Sequence, residues 1–368
     1  MKRRYKVLGA IAAVLGVVIA AGGLMVSRDS PCGTAPALAA DTASMTAAVY
    51  RCYGSTDVLK IEKIAKPLPA DNRVIVKVQA ASVNPLDWHY LQGKPYVMRT
   101  GSGIGVPNSI HMGADFAGTI ESVGKDVKRF KVGDEVFGDR DGAFAQYVSV
   151  AENGAIALKP ANISMEQAAA VPIAGITALQ ALRDKGKIQS GQKVLINGAS
   201  GGVGTFAVQI AKTYGADVTG VCSGRNTDMV RSIGADHVID YTKDDFTRGS
   251  ERYDLIIDNV GNHPASAIRR VLKPHGSLVT VGGPSDNAWL GPLTGLISNM
   301  IVSPFVSQKM VFMLAQANKE DMDVLRDMMQ AGKLTPVIDR RYKLEQTAEA
   351  IAYLEQGHAR GKVIITVE

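Results

Sequence analysis

The sequence predicts an α/β protein: a β-rich, barrel-like unit, then a doubly wound parallel sheet, the whole preceded by one apolar helix. Three observations predict it. From Ala47 to Val150, short β-prone runs alternate with glycine-rich turns. Beyond Glu166, helical stretches alternate with short apolar strands, the rhythm of βαβ units. Ahead of both, Val7–Val26 is a 20-residue run without a charge.

As a helix that first run is about 30 Å long, enough to cross a hydrocarbon core. Residues 1–6 form a basic flank with Lys2, Arg3, Arg4 and Lys6. A removed signal peptide is the competing reading. Against it, no small-x-small site follows directly, and Ala37-Leu38-Ala39 lies over ten positions downstream. A lipidated Cys32 is disfavoured by Asp29 and Ser30 before it. The expectation is therefore an uncleaved single-pass anchor at 7–26 and membrane localisation. Sidedness stays open: the basic flank favours an outward body, whereas a cytosolic reductant pool favours the reverse. Residues 27–45, small and almost uncharged, read as a flexible tether.

The remaining 46–368 exceed one ordinary core. The formal net charge is +6, four of it in the basic flank, and no Lys/Arg stripe with interleaved aromatics follows, so no nucleic-acid surface is expected. Cys32, Cys52 and Cys222 are odd in number and far apart, implying no disulfide framework.

In the first unit, 46–170, Val74–Val78, Thr119–Gly124, Lys131–Gly138 and Ala143–Val148 read as strands and turns. In the second, 171–314, strands are expected at Val194–Asn197, Val218–Cys222, His237–Ile239, Leu255–Asp258 and Ser277–Val281. In 315–368, Lys319–Ala331 and Gln346–Gly357 read as helices, and Lys362–Val367 as a closing strand that returns to the first unit.

One junction carries chemistry. The strand Lys193–Asn197 runs into Gly198-Ala199-Ser200-Gly201-Gly202-Val203-Gly204, and a helix follows. Backbone amides and the positive helix end at such a turn hold a pyrophosphate. The spacing is G-x-x-G-x-x-G, and its place between strand and helix in a βαβ train points to a dinucleotide. After the next strand stands Val221-Cys222-Ser223-Gly224-Arg225-Asn226, without an acid for a ribose 2′-hydroxyl. Ser223 and Arg225 suit an anionic 2′-phosphate, so NADPH is expected.

The stretches Ala81–Asp87, Gly113–Gly118, Val132–Val136 and Val171–Ala178 add a resemblance. Over Met45–Glu368 the chain resembles the medium-chain dehydrogenase/reductase superfamily, with a GroES-like catalytic domain and a Rossmann domain. It is most similar to the zinc-free quinone oxidoreductases and the reticulon-4-interacting-protein-like group, which carry an enoyl reductase domain. The zinc enzymes of the superfamily place a Cys where this chain has Val83-Asn84 and a His-Glu pair where it has Ala114-Asp115. Their third ligand would fall near Ile173-Ala174. The histidines show no ligand spacing, so no metal and no zinc are expected.

The resemblance implies an NADPH-dependent oxidoreductase passing hydride to a quinone or α,β-unsaturated carbonyl, a small apolar electrophile. A zinc-free alcohol/aldehyde dehydrogenase and an NADPH-binding membrane scaffold or sensor without turnover are the alternatives. Asn84 and Asp87 are implied beside the nicotinamide; local turn capping is the competing reading for both. Tyr96 falls one residue later than the proton-donating Tyr of related enoyl reductases, with Tyr90 as the second candidate, and water remains an alternative donor. Thr177 is implied at the nicotinamide ribose, Gly198, Gly201, Gly202, Val203 and Gly204 at the pyrophosphate, and Ser200 among the residues that bind the cofactor. Ser223, Arg225 and Tyr241 are implied around the 2′-phosphate. Asn259, Val260, Gly261, Val281, Gly282 and Gly283 would line the cofactor's edges, with Lys362 in reach of cofactor or substrate. Met98–Met112 and Ser285–Phe305 form either the substrate mouth or, through Trp289, Leu290, Leu293, Leu296 and Ile297, a dimer face or membrane-contacting patch. Relatives of this kind are often dimers, and a homodimer is an expected arrangement.

Overall fold

The structure is a computed structural model that describes residues 21–284, 287–291 and 306–367. Strand β1 (Ser44–Val49) pairs antiparallel with β2 (Lys60–Ala65). Next comes the 11-residue β3 (Arg73–Val83), whose Val74, Val76, Val78 and Val83 are buried in one core with Phe116, Ile120, Val136 and Ile156. Helix α1 (Pro85–Gln92) leaves it at once, because Pro85 is preset for a first helical turn. A short helix α2 (Arg99–Ser102) follows, then β4 (Asp115–Val123), β5 (Glu135–Asp139), β6 (Tyr147–Ala151) and β7 (Ile156–Leu158). Strand β6 starts later than the predicted Ala143–Val148. Ala143–Ala145 instead form a connection held by the Phe144 amide on the Met112 carbonyl (2.9 Å) and the Ala48 amide on the Phe144 carbonyl (2.8 Å).

After α3 (Met165–Ala169) and α4 (Pro172–Gln180), the second unit begins with β8 (Lys193–Asn197), α5 (Gly202–Thr213), β9 (Asp217–Cys222), α6 (Thr227–Ser232) and β10 (His237–Asp240). It continues through β11 (Tyr253–Asp258), α7 (Ala265–Val271), β12 (Leu272–Thr280) and β13 (Lys309–Phe312). All six strands are parallel, in the order β10-β9-β8-β11-β12-β13. After its first residue each of β8 and β9 is buried throughout, so both faces are covered and neither strand reads as an alternation. The order reverses beside β8, so a crevice opens outside the carboxyl ends of β8 and β11.

Helix α8 (Lys319–Gln330), β14 (Ile338–Lys343), α9 (Thr347–Glu355) and β15 (Lys362–Thr366) carry the chain back. Strand β15 pairs antiparallel with β3, Val363 against Val83, so the last strand enters the first unit's sheet.

The N-terminal expectation is corrected. Most of the predicted span, 7–20, lies outside the described residues; among the described residues, no helix is long and apolar enough to cross a membrane. The end of the apolar run, helical at 21–27, meets protein: the Trp289 ring lies so close to Gly23 that a side chain there would press on it. The tether expectation is corrected for residues 27–32. Arg99, 1% exposed, donates to the carbonyls of Val26 (3.2 Å) and Arg28 (3.4 Å) and pairs with Asp29 (2.8 Å). Its guanidinium stacks on Tyr53 and Tyr96, 4.2 and 4.8 Å from the ring centres. The Ser30 amide donates to the Gly105 carbonyl (3.0 Å), and a Cys32–Cys52 disulfide closes the segment onto the domain. Residues 26–32 are a strap across the 93–106 loop. Three scattered cysteines conceal this pair, since only the fold-back brings their Cα atoms to 4.6 Å.

Candidate functional site

The glycine turn sits where β8 gives way to α5. Gly198 has φ 77°, a left-handed conformation that favours glycine. At Gly204 any Cβ would overlap the Gly198 carbonyl oxygen, so helix and turn close only around a hydrogen. Ala199 occupies the second position of the motif without obstruction: it is fully buried, and its methyl points toward Gly220 of β9. The first amides of α5 precede its intrahelical bonds, and they lie at the helix's positive end beside the carboxyl end of β8.

At the end of β9 the Asn226 Nδ2 lies 3.1 Å from both the Ser200 and the Ser223 Oγ. Arg225 donates through Nη2 to the His358 carbonyl (3.1 Å) at the surface, and Tyr241 is exposed. An acid missed by the sequence reading also stands here. Asp240, from the end of β10, lies so close to Gly224 that a Cβ there would collide with its carboxylate. The hydroxyl and amide of Thr242, at 2.7 and 3.0 Å, hold that carboxyl below the ordinary range. The register Asp240↔Cys222 produces this closeness, and reading one strand at a time cannot reveal it.

On the far side of β8, Asp258 Oδ1 accepts from Asn197 Nδ2 (2.9 Å) and from the amides of Val260 (3.1 Å) and Gly261 (2.9 Å). Asn259 Nδ2 donates to the Asn197 carbonyl (2.9 Å). Val281 donates its amide to the Asp258 carbonyl (2.9 Å), and Gly282 is the only residue type that clears the Asn259 carbonyl. Gly283 follows against Gly261. Thr177, in α4, gives its hydroxyl to the Ile173 carbonyl (2.6 Å) and keeps only acceptor capacity.

Lys362, 3% exposed at the start of β15, donates to Asn84 Oδ1 (2.6 Å) and pairs with Asp115 Oδ2 (3.2 Å). Asp115 also accepts from Ser82 Oγ (2.7 Å), Asn84 Nδ2 (2.9 Å) and the Ile173 amide (2.9 Å). The same lysine's stem lies against Gly202, and the Gly361 amide donates to the Ser200 carbonyl (2.9 Å). One network thus ties the glycine turn to the first domain.

Asn84 and Asp87 are buried, and Asp87 Oδ2 caps α1 by accepting the Asn84 amide (2.7 Å). Burial pushes the Asp87 carboxyl up to about 8, with the Asp115 charge adding to it. Burial and the same neighbour push Asp139 to about 7. Tyr90, 38% exposed, is raised by burial and by Asp141 and Asp139. Tyr96 lies elsewhere: its ring packs edge-on against Trp289 with centroids 5.1 Å apart, beside Arg99, and its amide bonds the Ala288 carbonyl. The fold therefore joins Asn84, Asp87 and Lys362 to the glycine turn, and sets Tyr96 into the strap's aromatic cluster. Of the predicted mouth, Ser285, Leu293, Leu296 and Ile297 lie outside the described residues.

A dinucleotide suits this donor set. The α5 N-terminus lies at the carboxyl end of β8, and two carboxamide oxygens, Asn226 Oδ1 and Asn259 Oδ1, are buried with no partner among the described residues. Among those residues no group of three or more His, Cys, Asp or Glu is placed to hold a metal ion.

Comparison with known proteins agrees with the architecture. Residues 70–160 match the alcohol dehydrogenase GroES-like domain family, and 233–365 the zinc-binding dehydrogenase family. A 2-methylene-furan-3-one reductase of Solanum lycopersicum is 35% identical over 87% of this chain and 79% of its own length. The mitochondrial NAD(P)H oxidoreductase RTN4IP1 of Mus musculus is 33% identical over 88% and 89%. Among solved structures, a quinone oxidoreductase from Coxiella burnetii superposes with a TM-score of 0.76 at 30% identity, covering 89% of this chain and all of that one.

Proposed function

The chain belongs to the medium-chain dehydrogenase/reductase superfamily, and from that premise we propose that it is an NADPH-dependent, zinc-independent reductase of quinones or α,β-unsaturated carbonyls. That it is an NAD(P)H-dependent oxidoreductase follows from relatives named NAD(P)H oxidoreductase and quinone oxidoreductase. The observation that carries the choice of NADPH is the end of β9, where Ser223 and Arg225 stand in place of a ribose-binding acid. The substrate class draws on the names of the tomato and Coxiella relatives, since both a quinone and a methylene-furanone hold a carbonyl conjugated to a double bond.

When bound, the nicotinamide supplies the hydride. The chain's part is to bind, orient and exclude water. The amides at the α5 start receive the pyrophosphate, and Ser223 and Arg225 the 2′-phosphate, with Tyr241 beside them. Asn259 Oδ1 and Thr177 Oγ1 offer acceptors on the nicotinamide side. Lys362, Asn84 and Asp115 hold the cleft floor rigid against the glycine turn, and Asp87 fixes the start of α1. Of the two tyrosines, Tyr90 suits the proton donor better, since the Tyr96 ring is engaged by Arg99 and Trp289. Zinc independence draws on Asn84 and Asp115, which hold the lysine ammonium where resemblance puts zinc ligands in other members. Metal analysis of active protein tests it.

The decisive assay is NADPH oxidation with 1,4-naphthoquinone, trans-2-alkenals and simple ketones. Turnover of the first two supports the reading. Activity confined to ketones, or found only as NADP⁺ reduction when secondary alcohols are supplied, gives the protein an alcohol/aldehyde dehydrogenase's role instead. Tight NADPH binding with no turnover on any acceptor gives it a scaffold's.

A further inference from the structure

We propose that Asn226 is the positioning residue for cofactor choice: its carboxamide turns the Ser200 and Ser223 hydroxyl protons outward as a donor pair for the 2′-phosphate. This rests on the NADPH reading above and adds a residue to that site.

The two serines come from different elements, Ser200 from the glycine turn after β8 and Ser223 from the end of β9. Asn226 joins them, each Oγ at 3.1 Å from the one Nδ2. A carboxamide nitrogen has two hydrogens and a hydroxyl has one, beside its acceptor lone pairs. Both amide hydrogens are thus given to the serines, and each serine, having accepted, keeps its own hydrogen to donate. A pair of hydroxyl donors at the carboxyl ends of two adjacent parallel strands, next to the Arg225 cation, is a receptor for an anion.

The ordinary reading of an Asn just before a helix is a cap. Here the side chain makes no capping bond to α6. It is 4% exposed, and its Oδ1 has no partner among the described residues. A buried acceptor left open is costly, and the two bonds that Nδ2 gives to the serines offset it in this orientation. The reversed amide would spend both serine protons on Oδ1 and leave nothing to donate. Asn226→Asp imposes that reversed state, because a carboxylate only accepts.

The test is titration calorimetry of wild type, Asn226→Ala and Asn226→Asp with NADPH, NADH, 2′,5′-ADP and 5′-ADP, with melting curves for each protein. Wild type is expected to prefer the 2′-phosphorylated member of each pair. Asn226→Ala should lose about tenfold for NADPH and 2′,5′-ADP, and Asn226→Asp about a hundredfold, because the donors vanish and a charge is added. NADH and 5′-ADP should change by less than about threefold. Equal losses for both nucleotides, or an unchanged preference in either variant, overturn the role of Asn226. If the Asn226 variants fail to fold, the double variant Ser200→Ala/Ser223→Ala replaces them: the same selective loss is expected, and a retained preference overturns the donor pair. Wild type that binds NADPH no better than NADH, or binds neither, instead overturns the NADPH reading itself.

Discussion

Lys362 Nζ donates to Asn84 Oδ1 at 2.6 Å, so the first residue of the last strand holds the residue just before α1, 278 positions earlier. Asp115, fully buried, is the counter-charge. Removing the lysine leaves that carboxylate buried and unpaired. Lys362→Met should therefore cost roughly 3–5 kcal/mol in urea unfolding. Adding Asp115→Asn should recover part of the loss, and strict additivity of the two changes would show that they do not interact.

The strap makes a second prediction. Cys32→Ser opens a link between residues 20 apart, which should lower stability by about 3 kcal/mol on the chain-entropy account. Arg99→Ala removes the bonds to Val26, Arg28 and Asp29, and should expose the 93–106 loop to limited proteolysis. Unchanged cleavage of that loop in Arg99→Ala would mean that the strap does not order it.

Asp87 gives a pH dependence with a definite sign. Its folded carboxyl, near 8, lies far above the ordinary 3.8, so the native state binds the proton more tightly than the unfolded chain. Stability from this group is full below the ordinary value and falls as pH rises from there toward about 8. Asp87→Asn keeps an acceptor for the Asn84 amide without the charge. Melting temperatures from pH 5 to 9 should fall less steeply in the variant; parallel slopes would remove Asp87 as the cause.

Cofactor preference should respond to two charges at the ends of β9 and β10. Arg225→Ala should weaken NADPH by about tenfold and leave NADH nearly unchanged, the signature of one lost charge-assisted contact. Asp240→Asn should strengthen NADPH by about threefold, because it removes a carboxylate beside Gly224 that opposes the phosphate. Fluorescence titration of both nucleotides reads both effects.

Much of the strand-to-helix junction after β8 was legible in the chain. Gly198 and Gly204 announce a tight strand-to-helix junction because that geometry excludes a Cβ. Ser223-Gly224-Arg225 announces itself by what is missing, an acid at the end of the second strand. The catalytic side was less legible. Tyr96 lies near the expected position in sequence, yet Arg99 and Trp289 claim its ring. Asn84 and Asp87 are buried and internally bonded, a fate decided by partners far away in sequence.

By itself, then, the sequence determined the two-unit α/β order, the parallel sheet and the glycine turn between β8 and α5. Each is a local pattern, written in hydrophobic period and in the few residues able to adopt a required backbone shape. Tertiary structure alone decided that residues 26–32 are a strap and not a tether, and that Cys32 meets Cys52. It also decided that Asp240 approaches Gly224, and that Lys362 closes on Asn84 and Asp115. These contacts join residues tens to hundreds of positions apart. Their energies depend on shared burial and exact hydrogen-bond geometry, which come into being only when the chain has folded.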